Sequence, residues 1–429
     1  MSDKTFGFET LSVHAGAAPD PATGARAQPI YQTTAYVFED ADHAAALFNL
    51  QTVGFIYSRL TNPTNAALEA RIATLEGGRG CTVASSGHAA QVLGLFPLMA
   101  PGAEIVASSR LYGGSLQQMK NTYPKFGWKA EIVDADEPEN FKRAVTENTK
   151  AFFIESLANP GGVVSDIEAI ARIAEASGVP LLVDNTLATP YLCRPIDYGA
   201  TLIVHSTTKF LSGTGTSMGG AVVDSGKFDW SRGGKFPSLA GPEPAYHGLN
   251  FHETFGDMAY TFHSHAVGLR DLGPSQAPFN AWLTMLGIET LGLRMERHCA
   301  NAAEVAQHLE KHPAVAWVNY AGLPSNKYNK LAKKYLPKGA GSVFTFGVKG
   351  GYDVGVKVVD SVELFSHLAN IGDAKSLIIH PASTTHRQLS DEQRVAAGAG
   401  PDVLRLSIGI ETVEDIIADL DQALTKATA

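Results

Sequence analysis

Two stretches of the chain carry groups that seldom sit beside buried apolar runs. PLLVDNT, residues 180–186, reaches Asp184, and TLIVHSTTKF, residues 201–210, carries Lys209 behind Ser206, Thr207 and Thr208. Both apolar runs have the length and β-branched content of a buried strand, and a parallel sheet opens its ligand crevice just beyond the carboxyl ends of its strands. A lysine amine there can form a Schiff base with a carbonyl, and a carboxylate can keep a pyridine nitrogen protonated. Those are the two tasks that pyridoxal phosphate sets a protein. A single crossover between the strands makes the two residues neighbours. Each residue also has an ordinary reading, Asp184 as a turn former or helix cap and Lys209 as a solvated turn lysine.

Other apolar runs end in groups that suit the same crevice. The loop SSGHAAQ, residues 85–91, opens a helix, where free amides and the helix dipole bind anions, with Ser86 and Gly87 nearest. A plain strand-to-helix turn asks for the same glycine. The hydroxyls before Lys209 suit a phosphate as well. Tyr112, in SRLYGGS, can stack on a flat cofactor or simply pack, and Asn159, in ESLANPGG, is both an amide and part of a turn signal. Arg405 interrupts the strand-like run VLRLSIG and needs an anion, either a protein carboxylate or a substrate carboxylate. His380 and His386, in IIHPASTTH, lack a third ligand, so no metal is expected.

The elements that must position these residues follow from the apolar pattern. Short runs at 81–85, 103–107, 130–133, 151–155, 180–183, 201–205 and 219–223 alternate with helix-compatible segments. They predict a seven-stranded, mostly parallel sheet with helices on both faces. Residues 1–62 read as an extended N-terminal arm, with a short strand within 28–38. Asn62 and Pro63 then start a helix that stops at Gly77 and Gly78. Residues 63–277 form the large domain, in which 225–280 reads as a loop-rich connection with some helix. Residues 278–429 form a smaller α/β domain. It opens with one long helix from Pro278 into the 300s, followed by strands near 315–319, 342–348, 376–379 and 403–408 and helices near 353–369 and 412–426.

Composition narrows the partners. The chain of 429 residues has 43 acidic against 34 basic residues, a net charge of −9, and no block of like charge, so neither nucleic acid nor an anionic membrane has a footprint. Its three cysteines, Cys81, Cys193 and Cys299, are far apart and fit a reducing compartment. No apolar signal core or run long enough to span a membrane appears, and a cytoplasmic location is expected.

Taken together, YSRLTNPTN, SSGHAA, LYGGS, ESLANPGG, VDNTLATP, HSTTKF and LRLSIGIE, in this order, resemble the Cys/Met-metabolism pyridoxal phosphate enzymes, a family that includes cystathionine γ-synthases and lyases, methionine γ-lyases and O-acylhomoserine sulfhydrylases. The resemblance spans essentially the whole chain and implies the aminotransferase-like fold, fold type I. It implies that Lys209 carries the cofactor, Asp184 holds the pyridine nitrogen, Tyr112 stacks on the ring and Asn159 contacts the ring hydroxyl side and the substrate. Ser86, Gly87, His88, Ser206 and Thr208 would line the phosphate. Tyr57 and Arg59 would reach the neighbouring subunit's cofactor, Tyr57 also meeting substrate, which makes an obligate dimer, usually doubled into a homotetramer. Arg405 would bind the substrate α-carboxylate, assisted by a backbone group of Ser376.

Departures from the family pattern choose among its reactions. His88 stands where methionine is frequent, but its expected contact is through backbone. Gly113 and Gly114 follow Tyr112 where methionine γ-lyases typically carry a cysteine, and Lys375 stands where cystathionine-handling members often have glutamate. With GLNFHETFG and FNAWLTMLGIETLGLRMERHCANA, these point to the branch that places sulfide or methanethiol on O-acetylhomoserine. The alternatives are an O-succinylhomoserine-dependent synthase or a γ-eliminating lyase.

Overall fold

The computed structural model describes residues 6–160, 162–385, 387, 390, 392, 394 and 398–429. Its large sheet is built from β1 (Gly80–Ala84), β2 (Glu104–Ser108), β3 (Lys129–Val133), β4 (Thr149–Glu155), β7 (Leu181–Asp184), β8 (Leu202–His205) and β9 (Gly220–Asp224); β5 (Leu157–Ala158) and β6 (Val163–Val164) form a separate small hairpin. The spatial order is β1-β9-β8-β7-β4-β2-β3, and only β9 runs against its neighbours. The expected seven-stranded, mostly parallel sheet is present.

Alternation along these strands divides the apolar residues between two cores. Val83, Val106, Phe152, Val183, Ile203 and Val223 face one, while Ala84, Ile105, Phe153, Leu182, Val204 and Val222 face the other. Both faces are therefore covered, as runs without polar alternation require. Burying each large side chain contributes about 1.5–3 kcal/mol, so the sheet is a rigid base for whatever stands at its strand ends.

A second, five-stranded sheet is made of β10 (Val315–Asn319), β11 (Val343–Val348), β12 (Ser366–His367), β13 (Leu377–Ile379) and β14 (Val403–Ser407), in the order β10-β11-β14-β13-β12. Phe344, Phe346, Leu404 and Leu406 join the same apolar cluster as Val183 and Ile203 of the large sheet. The core thus runs across the boundary expected at residue 277, and the smaller layer is docked on the larger one through side chains.

Several elements differ from the expected pattern. Phe8–His14 is a helix, fixed to the large domain where buried Arg71 donates to the carbonyls of Val13 and Ala15. Within 28–38 there is only an isolated bridge, Ala35 to Tyr57. Residues 225–280 are more helical than their Gly and Pro content suggests, with short helices at Phe251–Phe255 and Ala259–His263 and a wider turn over Ser264–Leu272. Their aromatic side chains pack on the large sheet and override weak local propensity. The long helix is two, Pro278–Glu289 and Leu291–Lys311, because Thr290 leaves the helical region. The helix expected over 353–369 ends at Ser361, where Asp419 draws the chain out by accepting the amides of Glu363, Leu364 and Phe365. Among the described residues no helix is long and apolar enough to cross a membrane.

Asn62 shows how the arm is tied to the site-bearing domain. Its Oδ1 accepts from the amides of Thr64 and Asn65 and caps the helix Pro63–Glu76, while its Nδ2 donates to the Tyr31 carbonyl, the Tyr36 hydroxyl and the Ser58 hydroxyl. Asn62→Ala removes the cap and leaves buried partners unpaired, at a cost of about 2 kcal/mol. The thermal midpoint of that variant, followed by circular dichroism, is expected to fall by a few degrees.

Candidate active site

Parallel pairing of β7 with β8, in which Asp184 lies opposite Val204, brings the two stretches of interest side by side. Asp184 Oδ1 accepts from the Thr186 amide at 3.0 Å and the Thr186 hydroxyl at 2.5 Å, so the turn-forming reading of this aspartate is partly right. Its Oδ2 is turned to the crevice and takes one bond from Gln91 Nε2, at 3.3 Å. The Thr186 hydroxyl also accepts from the Ser206 amide at 2.8 Å. One hydroxyl thus locks the carboxylate-bearing turn to the turn that leads to Lys209.

Lys209 lies four residues past the end of β8, inside the crevice rather than on its outer surface. Its Nζ donates to Asn370 Oδ1 at 2.6 Å. Burial, and after it the nearby Arg405 guanidinium, lower the amine's pKa below the usual lysine range. Arg405 comes from β14 of the second sheet, donating from Nη1 to Asn159 Oδ1 at 3.3 Å and from Nη2 to the Asn370 carbonyl at 3.1 Å. Neutral oxygens hold this guanidinium, and no carboxylate among the described residues pairs with it. Burial lowers its pKa to about 10, which still leaves it charged at neutral pH. Of the two readings open for Arg405, the geometry favours a group free to take an external carboxylate.

The opposite wall comes from the loop after β1. Ser86 caps the helix Gly87–Leu95, its hydroxyl accepting the Ala89 amide at 3.1 Å, which leaves the amides of Gly87 and His88 without an intrahelical acceptor. A side chain at residue 87 would put its Cβ 2.7 Å from Ser206 Cβ, so only glycine lets this loop meet the residue after β8. The His88 and Tyr112 rings lie 5.9 Å apart, tilted by 32°, and Tyr112 is 47% exposed over the crevice. A Cβ at Gly114 would fall 2.4 Å from the Tyr112 ring and 2.9 Å from that of His88, which gives Gly114 a steric reason.

The crevice, of about 290 Å³, gathers Ser86, Gly87, His88, Tyr112, Asn159, Asp184, Ser206, Thr208, Lys209 and Arg405. Three expected residues stand elsewhere. Ser376 is buried outside it, with its amide and hydroxyl donating to Glu411 and its carbonyl accepting the Ser366 amide. Its backbone is already engaged, so it is not placed to assist Arg405. Tyr57 and Arg59 lie on the arm, away from this chain's own crevice, with Arg59 donating to the Arg270 carbonyl and facing the Tyr57 ring. His380 is bonded to Ser383 and the Pro401 carbonyl, while His386 lies outside the described residues.

Four polar lining residues go beyond the sequence-based candidates: Gln91, Glu155, Thr186 and Asn370. Glu155 has a readable signal, since it ends the apolar run AFFIE as Asp184 ends LLVD. Gln91 lies one helical turn beyond Gly87 and Thr186 two residues beyond Asp184, both at local spacings. Asn370 carries no local signal.

The residues present fit pyridoxal phosphate. Amides without an intrahelical acceptor and nearby hydroxyls suit its phosphate, a carboxylate oxygen turned to the crevice suits its pyridine nitrogen, the Tyr112 ring suits its plane, and an amine lies between these and a guanidinium that no carboxylate among the described residues pairs with.

Comparison with known proteins agrees. The family model for Cys/Met metabolism PLP-dependent enzymes matches residues 9–425. An O-acetyl-L-homoserine sulfhydrylase from Leptospira meyeri is 50% identical over 430 residues, covering 98% of this chain and 97% of its own. A homocysteine synthase from Schizosaccharomyces pombe is 51% identical over 422 residues, covering 98% of both. A crystal structure of an O-acetylhomoserine (thiol)-lyase from Campylobacter jejuni, carrying N'-pyridoxyl-lysine-5'-monophosphate, superposes with a TM-score of 0.95 at 42% identity, covering 98% of this chain and 100% of that one.

A lowered amine pKa has a direct chemical consequence. In the cofactor-free protein, acetylation of Lys209 followed by peptide mass spectrometry should reach half its maximal rate at a lower pH than acetylation of exposed lysines. Arg405→Met should move that midpoint upward by removing a neighbouring positive charge.

Proposed function

The chain belongs to the Cys/Met metabolism PLP-dependent enzyme family, and from that premise we propose that it catalyses γ-replacement on O-acetyl-L-homoserine. Sulfide or methanethiol displaces acetate and gives L-homocysteine or L-methionine. The observation that carries this choice of reaction is near-full-length identity of 50% and 51% to an O-acetyl-L-homoserine sulfhydrylase and a homocysteine synthase.

When bound, pyridoxal phosphate supplies a carbonyl for an amine and a protonated ring that accepts electrons. The chain's own groups do the rest. Asp184 Oδ2 keeps the proton on the pyridine nitrogen, and the Thr186 bonds fix the direction of that carboxylate. Tyr112 and His88 would border the ring, while the Gly87 and His88 amides with Ser86, Ser206 and Thr208 would receive the phosphate. Arg405, steadied by Asn159 and Asn370, grips the substrate α-carboxylate. That grip directs the Cα–H toward Lys209 Nζ, which Asn370 holds on the same side. Lys209 removes the Cα proton and shuttles a Cβ proton; its lowered pKa keeps more of the amine in the basic form this requires. Acetate departs from Cγ, and the sulfur nucleophile forms the new bond at that carbon.

Tyr57 and Arg59 are read as serving the crevice of a neighbouring subunit, in a homotetramer built from dimers that share sites. Their position on the arm, away from this chain's own crevice, supports that reading. Three buried free thiols fit a cytoplasmic location.

Incubation of the protein with O-acetylhomoserine and sulfide should yield homocysteine and acetate. Preference for the succinyl ester, or release of an α-keto acid from methionine alone, would move the assignment to the alternative branches. Lys209→Ala should abolish turnover. Arg405→Ala should raise KM for the amino acid roughly tenfold to a hundredfold, as loss of a charge-assisted pair does; an unchanged KM would make Arg405 structural.

A further inference from the structure

Glu155 ends β4 directly beside Asp184, its register partner on β7. It is 4% exposed. Its Oε1 accepts the Tyr112 amide at 2.6 Å and its Oε2 accepts the Asn159 amide at 3.2 Å. These two amides belong to different strand-end loops, far apart in the chain. Tyr112 stands at the N-cap of the helical turn Gly113–Gln117 and makes no side-chain cap bond there. Asn159 accepts from Arg405 through its side chain.

We propose that Glu155 is a positioning residue that fixes the Tyr112 and Asn159 loops as one unit, tying the ring that stacks on the cofactor to the group that steadies the substrate-binding arginine. The last clause rests on the function proposed above; the bracing of the two loops does not. A continuous path of hydrogen bonds leads from Tyr112 through Glu155, Asn159, Arg405 and Asn370 to Lys209. Displacement at either loop is therefore felt at the base.

A carboxylate is the right group for this task. It offers an acceptor to each of two N–H donors, whereas an amide would turn its own NH2 toward one of them. It is also an expensive group to keep there. Burial and the neighbouring Asp184 both push its pKa well above the usual carboxylate range, and no cation pairs with it among the described residues. A buried carboxyl kept at that penalty, with both oxygens accepting backbone amides of functional loops, is explained by what the loops carry rather than by stability.

Hydrogen–deuterium exchange of the cofactor-free full-length protein tests the bracing. In Glu155→Ala, which removes both acceptors, peptides covering 109–116 and 156–160 should both exchange roughly tenfold or more faster than in the wild type, with the helix Pro63–Glu76 unchanged. Faster exchange in only one loop, or in neither, would overturn the proposal. Should Glu155→Ala not accumulate as folded protein, Glu155→Asp decides, because a carboxylate one methylene shorter cannot reach both amides. Full protection of both loops in that variant would sink the idea. The loaded enzyme supplies the second readout. Glu155→Ala should displace the cofactor absorption band and raise KM for the amino acid more than it lowers kcat. Both loops loosened with spectrum and KM at wild-type values would also overturn the proposal. Failure of the wild type to turn over O-acetylhomoserine would count against the proposed function alone, because the exchange result does not depend on it.

Discussion

The parallel pairing of β7 with β8 is the constraint on which the site depends. It sets the Asp184 turn next to the turn that carries Lys209, and the Thr186 hydroxyl closes the gap by bonding to both. A parallel sheet sends its strand ends toward one edge, so Ser86, Tyr112, Glu155 and Asn159 also come from strand ends or the loops after them, while Arg405 and Asn370 come from the second sheet. Apolar cover on both faces leaves that edge as the place where polar groups can stand without an unpaired burial penalty.

Charge in the crevice is arranged in two halves. Asp184 and Glu155 lie side by side on β7 and β4, while Lys209 and Arg405 converge on Asn370 from the two sheets. Burial, and after it a neighbouring like charge, act on each half: both push Glu155 toward the neutral form beside Asp184, and both push the Lys209 amine toward the neutral form beside Arg405. Under the proposed function, a ring with a protonated nitrogen would relieve the acidic half, and a substrate carboxylate the basic half. The second sheet matters for this reason. It contributes Arg405 from β14 and Asn370 from the loop before β13, and its docking through Phe344, Phe346, Leu404 and Leu406 places them.

Much of this was legible in the residues. Apolar runs with β-branched content marked all seven strands of the large sheet to within a few residues, because burial on both faces leaves little else that such runs can be. Asp184, Lys209 and the Ser86-Gly87 turn could be picked out as polar groups at the ends of those runs. What was not legible depended on contacts between distant segments. Asn370 has no local pattern and matters only because β14 and the large sheet meet there. Ser376 looked available by position, yet Glu411 occupies its amide and hydroxyl. The helices within 225–280 rest on aromatic packing that overrides their Gly and Pro content. The partners of Arg405, an amide oxygen and a carbonyl from distant segments, could be read only from the fold.

The central claim is that one amine, placed between the Asp184 carboxylate and the Arg405 guanidinium, carries the cofactor. Borohydride reduction of the pyridoxal phosphate-loaded protein, followed by digestion and peptide mass spectrometry, fixes the cofactor to whichever lysine holds it. The account predicts a single pyridoxyl-modified peptide containing Lys209. Modification at a different lysine, or none at all in protein that has taken up the cofactor, would contradict it.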